Sequence, residues 1–265
     1  MTFRKTPRQQ FGQHAEKYRK SAVHGDQNTL EHIVHMLAPK ASENAVDIGC
    51  GGGHMSAALA QWVRELVAVD VTPQMLIQTG LLAREKGLSN VVGCVADARN
   101  LPFAPEIFDL VTCRIVLHHV PRVGEAIAEM GRVLKVGGRL LIQDILGIEN
   151  PFARAYMDEI EVLRDPSHVK DYNSLEWNSF LTEAKLGVIR REVLPGSYRL
   201  KDWTSRSGAS KENYDLIVRK LEDMPENVRG DLKARFVDGD WTIPMRYILV
   251  FAGKTRERAD IPSRI

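Results

Sequence analysis

The sequence predicts an α/β fold built on a doubly wound, largely parallel sheet. Two observations carry this prediction: short apolar runs alternate with amphipathic stretches through residues 44–145, and a glycine-rich segment, 49–53, joins the first run to the helix that follows. Such alternation is typical of strands connected by crossover helices. Sheets of this kind bind ligands at the carboxyl ends of their strands, so we expect the functional site there.

Each element of this sheet has its own signal. A first helix has apolar residues at helical spacing and ends before Pro39. Five strands are then predicted, over residues 44–49, 66–71, 91–95, 108–116 and 139–145. The helices between them are indicated by apolar faces over 55–63 and 126–133 and by Thr72 as the N-cap before Pro73.

The second half of the chain predicts an edge ribbon and a cap. Two apolar stretches, 188–194 and 246–252, are strand-like and can pair as an antiparallel ribbon at the sheet edge. Residues 200–243 are polar and helix-prone, as expected of a cap over a pocket. We therefore expect one domain, with lid helices in 1–40, a cofactor-binding core in 41–150, substrate-side insertions and a cap in 151–243, and a final strand in 244–254.

Composition and charge favour a small molecule as the partner. The chain has 265 residues, 44% of them hydrophobic, which is enough for one large core. Its 36 basic and 34 acidic side chains leave no broad basic field for phosphates, so no nucleic acid partner is expected. No apolar run approaches the roughly 20 residues of a membrane helix. We expect a soluble protein, either a monomer or a homodimer.

The cysteines and the start of the chain bear on location. Cys50, Cys94 and Cys113 lack the spacing of a disulfide framework or a zinc site, so no metal is expected. The basic start has no apolar core of signal-peptide length. A reducing, cytoplasmic location fits these features.

The cofactor chemistry is predicted to lie around segment 47–53. Glycines between a strand and a helix let a ligand approach the backbone closely. Asp70 ends the second strand about 20 residues after the glycines, where a carboxylate reaches both hydroxyls of a ribose. Asp97 ends the third strand, where it can accept from an adenine amine beside the N–H of Ala98. Asp47 would attract an ammonium or sulfonium group and repel a pyrophosphate, so an adenosine ligand with a cationic end is expected.

These residues also have structural interpretations. The glycines could form a bare turn, Asp70 could be a charge at a helix start, and Asp97 could cap the turn at 100–102. The position of the two acids at the ends of consecutive strands favours ligand binding over these interpretations.

Several motifs in order carry a family resemblance. They are Val46–Gly53, Val69–Leu76, Asp97 with Leu101–Phe103, Phe108–Asp109 and Arg132–Lys135. With them the chain resembles the class I methyltransferases of the ubiquinone/menaquinone-biosynthesis C-methyltransferase type, over residues 10–150. Segments 163–169 and 176–177 are similar to a subgroup of uncharacterised bacterial methyltransferases. The resemblance implies a Rossmann-like sheet of seven strands, mostly parallel with an antiparallel edge strand, and S-adenosyl-L-methionine as the cofactor.

The resemblance also implies which residues bind the cofactor. They are Tyr18, Asp47, Gly49, Gly51, Gly53, Asp70, Val71, Met75, Asp97, Ala98 and Arg114. Gly49 and Gly51 would face the methionine portion, and Val71 and Met75 the adenine faces. Tyr18 would belong to a lid over the cofactor.

Catalytic and acceptor-binding residues are predicted at the rim of the pocket. Methyl transfer mainly requires alignment of acceptor, methyl group and sulfur, so a strong catalytic group is not obligatory. His118 and His119 follow the fourth strand, and His119 is the candidate base for an oxygen or carbon acceptor. A pair of histidines bonded to backbone at a helix entry is the structural alternative. The acceptor-binding candidates are Arg164, His168, Trp203 and Arg206, for which a surface turn or simple packing is the alternative.

Other functions fit part of the pattern. A NAD-dependent oxidoreductase would use the glycines and Asp70 but gain nothing from Asp47 or Asp97. A non-catalytic adenosine-binding module would keep the cofactor residues without a usable acceptor pocket. An RNA methyltransferase would need a basic appendage that the sequence lacks. The favoured function is O- or C-methylation of a small-molecule acceptor.

Overall fold

The computed structural model describes residues 5–21 and 25–254. The strands are β1 (Asn44–Ile48), β2 (Glu65–Asp70), β3 (Val91–Val95), β4 (Phe108–Arg114), β5 (Leu134–Ile145), β6 (Leu186–Arg199), β7 (Arg235–Val237) and β8 (Asp240–Lys254). The helices are α1 (Pro7–Gly12), α2 (Ala15–Arg19), α3 (Gln27–Leu37), α4 (His54–Ala60), α5 (Pro73–Glu85), α6 (Val123–Val133), α7 (Pro151–Arg164), α8 (Ser174–Glu183), α9 (Leu200–Ser207), α10 (Lys211–Glu222) and α11 (Glu226–Leu232). Within these ranges, no helix combines the length and apolar character needed to cross a membrane.

The five predicted parallel strands are confirmed. The sheet has the order β3-β2-β1-β4-β5-β8-β6, and β1 to β5 pair in parallel. The strand order reverses next to β1, since β2 lies on one side of it and β4 on the other. Such a reversal opens a crevice at the carboxyl ends of the two central strands. The glycine segment follows β1 and therefore lies at this crevice.

The predicted antiparallel edge is also confirmed, and it is longer than the sequence indicated. β8 pairs antiparallel with both β5 and β6. The expected strand stopped at residue 194 because Pro195 and Gly196 interrupt the apolar pattern. Both residues nevertheless keep their register with β8, and β6 is the edge strand, where proline is tolerated.

The region 200–243, expected to be a helical cap, also contains a strand. β7 forms a hairpin with β8 through Asp238 and Gly239, whose φ values are 51° and 72°. Two left-handed residues in succession are typical of a tight hairpin turn. The three residues of β7 are exposed and carry no apolar alternation, so the turn rather than the strand pattern determines this element. The sheet has one short strand more than the seven implied.

Apolar side chains cover both faces of the sheet and the underside of the cap. The cluster on one face includes Ile127 and Trp177 from α6 and α8. The cluster on the other face includes Ile33 and Leu59 from α3 and α4. A third cluster joins α7, α9, α10 and α11 to the carboxyl end of β5 and the start of β8. The cap is therefore held against the strand ends by a core of its own.

Helix α8 anchors the insertion that follows β5. Asn173 and Glu176 form a capping box at its start, which satisfies the first backbone N–H groups. Trp177 is completely buried and contacts the ring edges of Tyr172 and Phe180, with ring centroids 6.2 and 6.4 Å away. This aromatic group fixes α8 against the sheet.

We expect Trp177→Ala to lower the free energy of unfolding by about 3–5 kcal/mol, because it removes a fully buried aromatic side chain. Trp62→Ala is the matched control: Trp62 is 54% exposed, so its replacement should change stability by only about 0.5 kcal/mol. Denaturant unfolding followed by circular dichroism measures both. Equal losses in the two variants would contradict this placement of α8.

Candidate active site

The loop after β1 is shaped by three glycines. Gly49, Gly51 and Gly53 have φ values of 69°, 53° and 88°, a left-handed conformation that favours glycine. A Cβ on Gly49 would lie 2.5 Å from Cγ2 of Val116, so this loop touches the turn after β4. Gly49 and Gly51 line a cavity of about 380 Å³, whereas Gly53 lies against Thr79 and does not line it.

Two predicted carboxylates line this cavity and are held by hydrogen bonds. Asp70 Oδ2 accepts from the backbone N–H of Gly51 at 3.0 Å, and its Oδ1 from that of Thr72 at 2.8 Å. Asp47 accepts from the hydroxyls of Ser56 and Thr112 at 2.6 and 2.9 Å. Burial raises the pKa of both carboxyl groups. The hydrogen bonds orient both carboxylates without a ligand.

The ends of β2 and β3 supply the next part of the wall. The four residues expected at the adenine, Val71, Met75, Asp97 and Ala98, all line the cavity. The carboxylate of Asp97 is bridged by Arg99, with N–O distances of 3.0 and 2.6 Å, a contact the sequence did not indicate. Apolar side chains, a carboxylate at the end of β2 and glycine backbone on one wall fit an adenosine ligand with a cationic end.

The N-terminal helices cover the glycine loop. The backbone oxygen of Tyr18 lies 3.1 Å from His54 Nε2, and Arg19 binds Gln78 on α5 at 2.9 Å. A Cβ on Gly52 would lie 2.6 Å from the backbone nitrogen of Arg19, so α2 rests directly on the loop. Tyr18 lines the cavity, and burial raises its pKa to about 12. This is the position expected of a lid.

The turn after β4 holds two buried histidines that line the cavity. His118 Nδ1 lies 2.6 Å from Asp144 Oδ1, at the end of β5. Asp144 Oδ2 also accepts from the backbone N–H of Leu117 at 2.6 Å. Burial alone would lower the pKa of His118, but the negative charge of Asp144 raises it to about 9. His118 is therefore an imidazolium at neutral pH.

His119 has the opposite electrostatic environment. Burial and the positive charge of His118 hold the pKa of His119 well below its ordinary value. Its Nδ1 lies 3.2 Å from Ser167 Oγ, and Ser167 Oγ donates to Asp165 Oδ1 at 2.6 Å. Because the serine proton is given to Asp165, Ser167 accepts from Nδ1–H of His119. This tautomer leaves the lone pair of His119 on Nε2.

The far side of the cavity is formed by the cap. Arg164 is buried, and its guanidinium carbon lies 4.7 Å from the ring centroid of Trp203. Trp203 stacks on Tyr198 at 5.2 Å, and the guanidinium of Arg206 lies 5.3 Å from the Tyr198 ring. Three of the four predicted acceptor residues, Arg164, Trp203 and Arg206, thus come together on one wall.

His168, the fourth, does not line this cavity. Its side chain is completely buried, and its Nε2 lies 2.9 Å from Asp158 Oδ1 on α7. Among the described residues, Asp158, His168 and Asp171 are the group whose ligand atoms lie close enough, within 4.8 Å, to hold a metal ion. Burial raises the pKa of Asp171 to about 7. His168 is thus a buried partner of Asp158 and is not placed to contact a ligand in the cavity.

Three residues of the site had been overlooked in the sequence. Asp144 ends β5 and follows the same rule as Asp70, a polar side chain at the carboxyl end of a strand. Ser167 lies inside the segment similar to uncharacterised methyltransferases, although no chemistry was attached to it. Tyr198 ends a strand whose extent the apolar pattern did not reveal.

Comparison with known proteins gives consistent results. Residues 46–142 match the family described as "Methyltransferase domain". The chain is 32% identical over 221 residues to the uncharacterized methyltransferase YcgJ of Bacillus subtilis, covering 83% of this chain and 87% of that protein. The ubiquinone/menaquinone biosynthesis C-methyltransferase of Dinoroseobacter shibae is 35% identical over 122 residues, 45% of this chain and 49% of that one.

A solved structure shows the same architecture. The crystal structure of a putative methyltransferase from Bacillus halodurans superposes with a TM-score of 0.82 at 29% identity. The match covers 86% of this chain and 99% of the other. Most of this chain therefore lies within the matched part.

We expect Gly52→Ala to weaken binding of S-adenosylmethionine on the order of tenfold, because its Cβ would displace the backbone of Arg19 and lift α2 from the loop. Gly80→Ala is the control, since no atom lies within 4 Å of a Cβ there. Isothermal titration calorimetry measures the affinities. Unchanged affinity for Gly52→Ala would mean that the lid does not contribute to binding.

Proposed function

The chain belongs to the class I methyltransferases that depend on S-adenosylmethionine, and we propose that it methylates an oxygen or carbon atom of a small-molecule acceptor bound beside His119. The observation that carries this proposal is a neutral imidazole, His119, on the wall of the cavity that the predicted cofactor residues line. An unprotonated imidazole has a free lone pair, which can take the proton of the acceptor during the reaction.

The residues around the glycine loop would hold the cofactor, which supplies an activated methyl group when bound. Asp70 is placed for the ribose hydroxyls, because two backbone N–H groups orient its carboxylate and leave further lone pairs. Val71 and Met75 would contact the adenine faces, with Asp97 and Ala98 at its edge. Arg114 lines the same space, and its side chain is fixed by Gln143 at 2.6 Å.

His119 would remove the proton of the acceptor as the new bond to carbon forms. The proton would pass to Nε2, because the hydrogen bond to Ser167 keeps the other proton on Nδ1. Asp165 fixes the Ser167 hydroxyl and so acts on His119 through the serine. After transfer the imidazolium would lie near Asp165, whose negative charge favours that form.

The cavity also supports alignment of the acceptor. Phe11 from α1 packs edge-on against His119, with ring centroids 4.9 Å apart, and the lid therefore contacts the base directly. Gln10 donates to the backbone oxygen of Ser207 in the cap at 2.7 Å. With the lid joined to the cap, water would be excluded from the reacting atoms, and their alignment is the main source of rate in a displacement of this kind.

We expect Asp70→Ala to weaken S-adenosylmethionine binding roughly tenfold or more, since charge-assisted hydrogen bonds worth about 1.5–3 kcal/mol are lost. Calorimetry on the folded variant measures this. Asp215→Ala, at an exposed ion pair on α10, should bind normally. NAD should show no comparable binding to the unaltered protein, and tighter binding of NAD would contradict the assignment of the cofactor.

We expect His119→Ala to lower kcat by about 10²–10⁴-fold without a matching change in S-adenosylmethionine affinity, because the base and not the cofactor site is removed. The acceptor is first found by transfer of labelled methyl groups into a cell extract. The depressed pKa means that His119 is neutral at and above its ordinary pKa of 6.5, so activity should be retained there and fall only at lower pH.

Ser167→Ala tests the same assignment through the hydroxyl that is hydrogen-bonded to His119. Without the serine oxygen the Nδ1 tautomer is no longer favoured, so kcat should fall about tenfold, the worth of one hydrogen bond. Turnover that is unaffected in both variants would return His119 and Ser167 to a structural role.

A further inference from the structure

The cavity carries opposite charges on its two sides. Its carboxylates, Asp47, Asp70 and Asp97, come from the ends of β1, β2 and β3. Among the described residues, the part of the lining contributed by the cap contains two guanidinium groups, Arg164 and Arg206, and no carboxylate. On the carboxylate side Arg99 and Arg114 also line the cavity, but each is held by a neighbouring side chain, so the two guanidinium groups of the cap are left for the acceptor.

The two arginines differ in how far their charge is compensated. Arg164 Nε lies 3.0 Å from Glu161, and its Nη2 lies 3.7 Å from Asp165, with both carboxylates fully buried. This charge is neutralised inside the protein. Arg206 Nε lies 3.0 Å from Asp202, but the side chain of Asp202 is 61% exposed, and water weakens an ion pair of that kind.

Two buried donors of Arg206, Nε and Nη2, make no hydrogen bond among the described residues. Nε is nevertheless ion-paired with Asp202 at 3.0 Å, so Nη2 is the donor that is left over. A buried charged donor without an acceptor is unfavourable, and such groups are usually satisfied by a ligand or an ordered water. The guanidinium is held in place by Tyr198 beneath it and by Asp202. The donor is therefore fixed before a ligand binds.

The wall beside Arg206 is aromatic. Trp203 and Tyr198 are stacked with an angle of 14° between their ring planes, and Ile145 adds an apolar side chain to the same cavity. Because Arg164 and Arg206 lie over this stacked pair, a ligand meets the edges of the rings, and a planar aromatic molecule packs well against ring edges. We propose that the acceptor is a planar molecule carrying an anionic group, a carboxylate or a phosphate, that binds Arg206 Nη2. This inference rests on the proposed function, since it assigns the substrate class of that site.

Three naphthalene probes of one shape test the proposal: 2-naphthoate, 2-naphthyl phosphate and the neutral 2-naphthalenemethanol. Binding is measured by calorimetry to protein saturated with S-adenosylhomocysteine. We expect at least one anionic probe to bind roughly ten- to a hundredfold more tightly than the alcohol, the range for a charge-assisted hydrogen bond. The stronger of the two anions identifies the group.

Variants assign the preference to one side chain. Arg206→Gln should abolish the preference for the anion, and Arg206→Lys should keep part of it, because the charge remains but the flat donor pair is lost. Arg190→Gln, at an exposed ion pair on β6, removes the same charge outside the cavity and should leave the preference intact. Circular dichroism and S-adenosylhomocysteine affinity verify that each variant is folded.

The outcomes separate this inference from the proposed function. Equal binding of the alcohol and the anions, binding of none of the three, or a preference that survives Arg206→Gln would overturn it. If an anion binds as expected but no molecule in a cell extract is methylated, the proposed function fails instead. The cell extract can also yield a methylated acceptor that is uncharged and whose KM is unchanged by Arg206→Gln. That result would support the proposed methyltransferase function and overturn the inference that the acceptor is an anion.

Discussion

The carboxylate of Asp144 is the interaction on which the rest of the site depends. Its Oδ2 accepts from the backbone N–H groups of Val116 and Leu117 at 3.1 and 2.6 Å, and its Oδ1 lies 2.6 Å from His118 Nδ1. A buried charge is stable only when it is paired and hydrogen-bonded in this way. The end of β5 thereby fixes the turn after β4, which places Val116 against Gly49 and His119 on the cavity wall. The cofactor loop and the candidate base share one support.

The same interaction explains why two adjacent histidines differ in protonation. His118 faces a carboxylate and carries a proton, whereas the nearest described partner of His119 is the hydroxyl of Ser167. The two rings lie 4.0 Å apart, at which distance one charge strongly disfavours a second in a poorly hydrated interior. Without the carboxylate, burial would lower the pKa of both histidines and the asymmetry would be lost. Burial and the charge that Asp144 maintains on His118 together keep His119 unprotonated.

How much of the site the sequence revealed depended on how local each signal is. The cofactor side is formed by residues at the ends of strands, and glycines and acids in those positions have a recognisable spacing. Asp70, predicted from that spacing, and Met75, implied by the family resemblance, both line the cavity. The acceptor side depends on long-range packing. Tyr198 reaches Trp203 only because β6 continues past an apolar pattern that ends earlier. His168 is close to Arg164 in sequence, but the chain turns back after α7, and His168 pairs with Asp158 on that helix. The sequence spacing gave no indication of this pair.

The acceptor wall can change without disturbing the cofactor side, because the two are built from different elements. Tyr198, Trp203 and Arg206 all lie at the junction of β6 and α9, and Trp203 and Arg206 are three residues apart on one helix face. That junction belongs to the antiparallel edge of the sheet, three strands beyond β4 and the turn that touches the glycine loop. The N-terminal lid is the element that contacts both sides, through Tyr18 at the loop and Gln10 at the cap. The same N-terminal helices therefore cover the glycine loop and reach the cap.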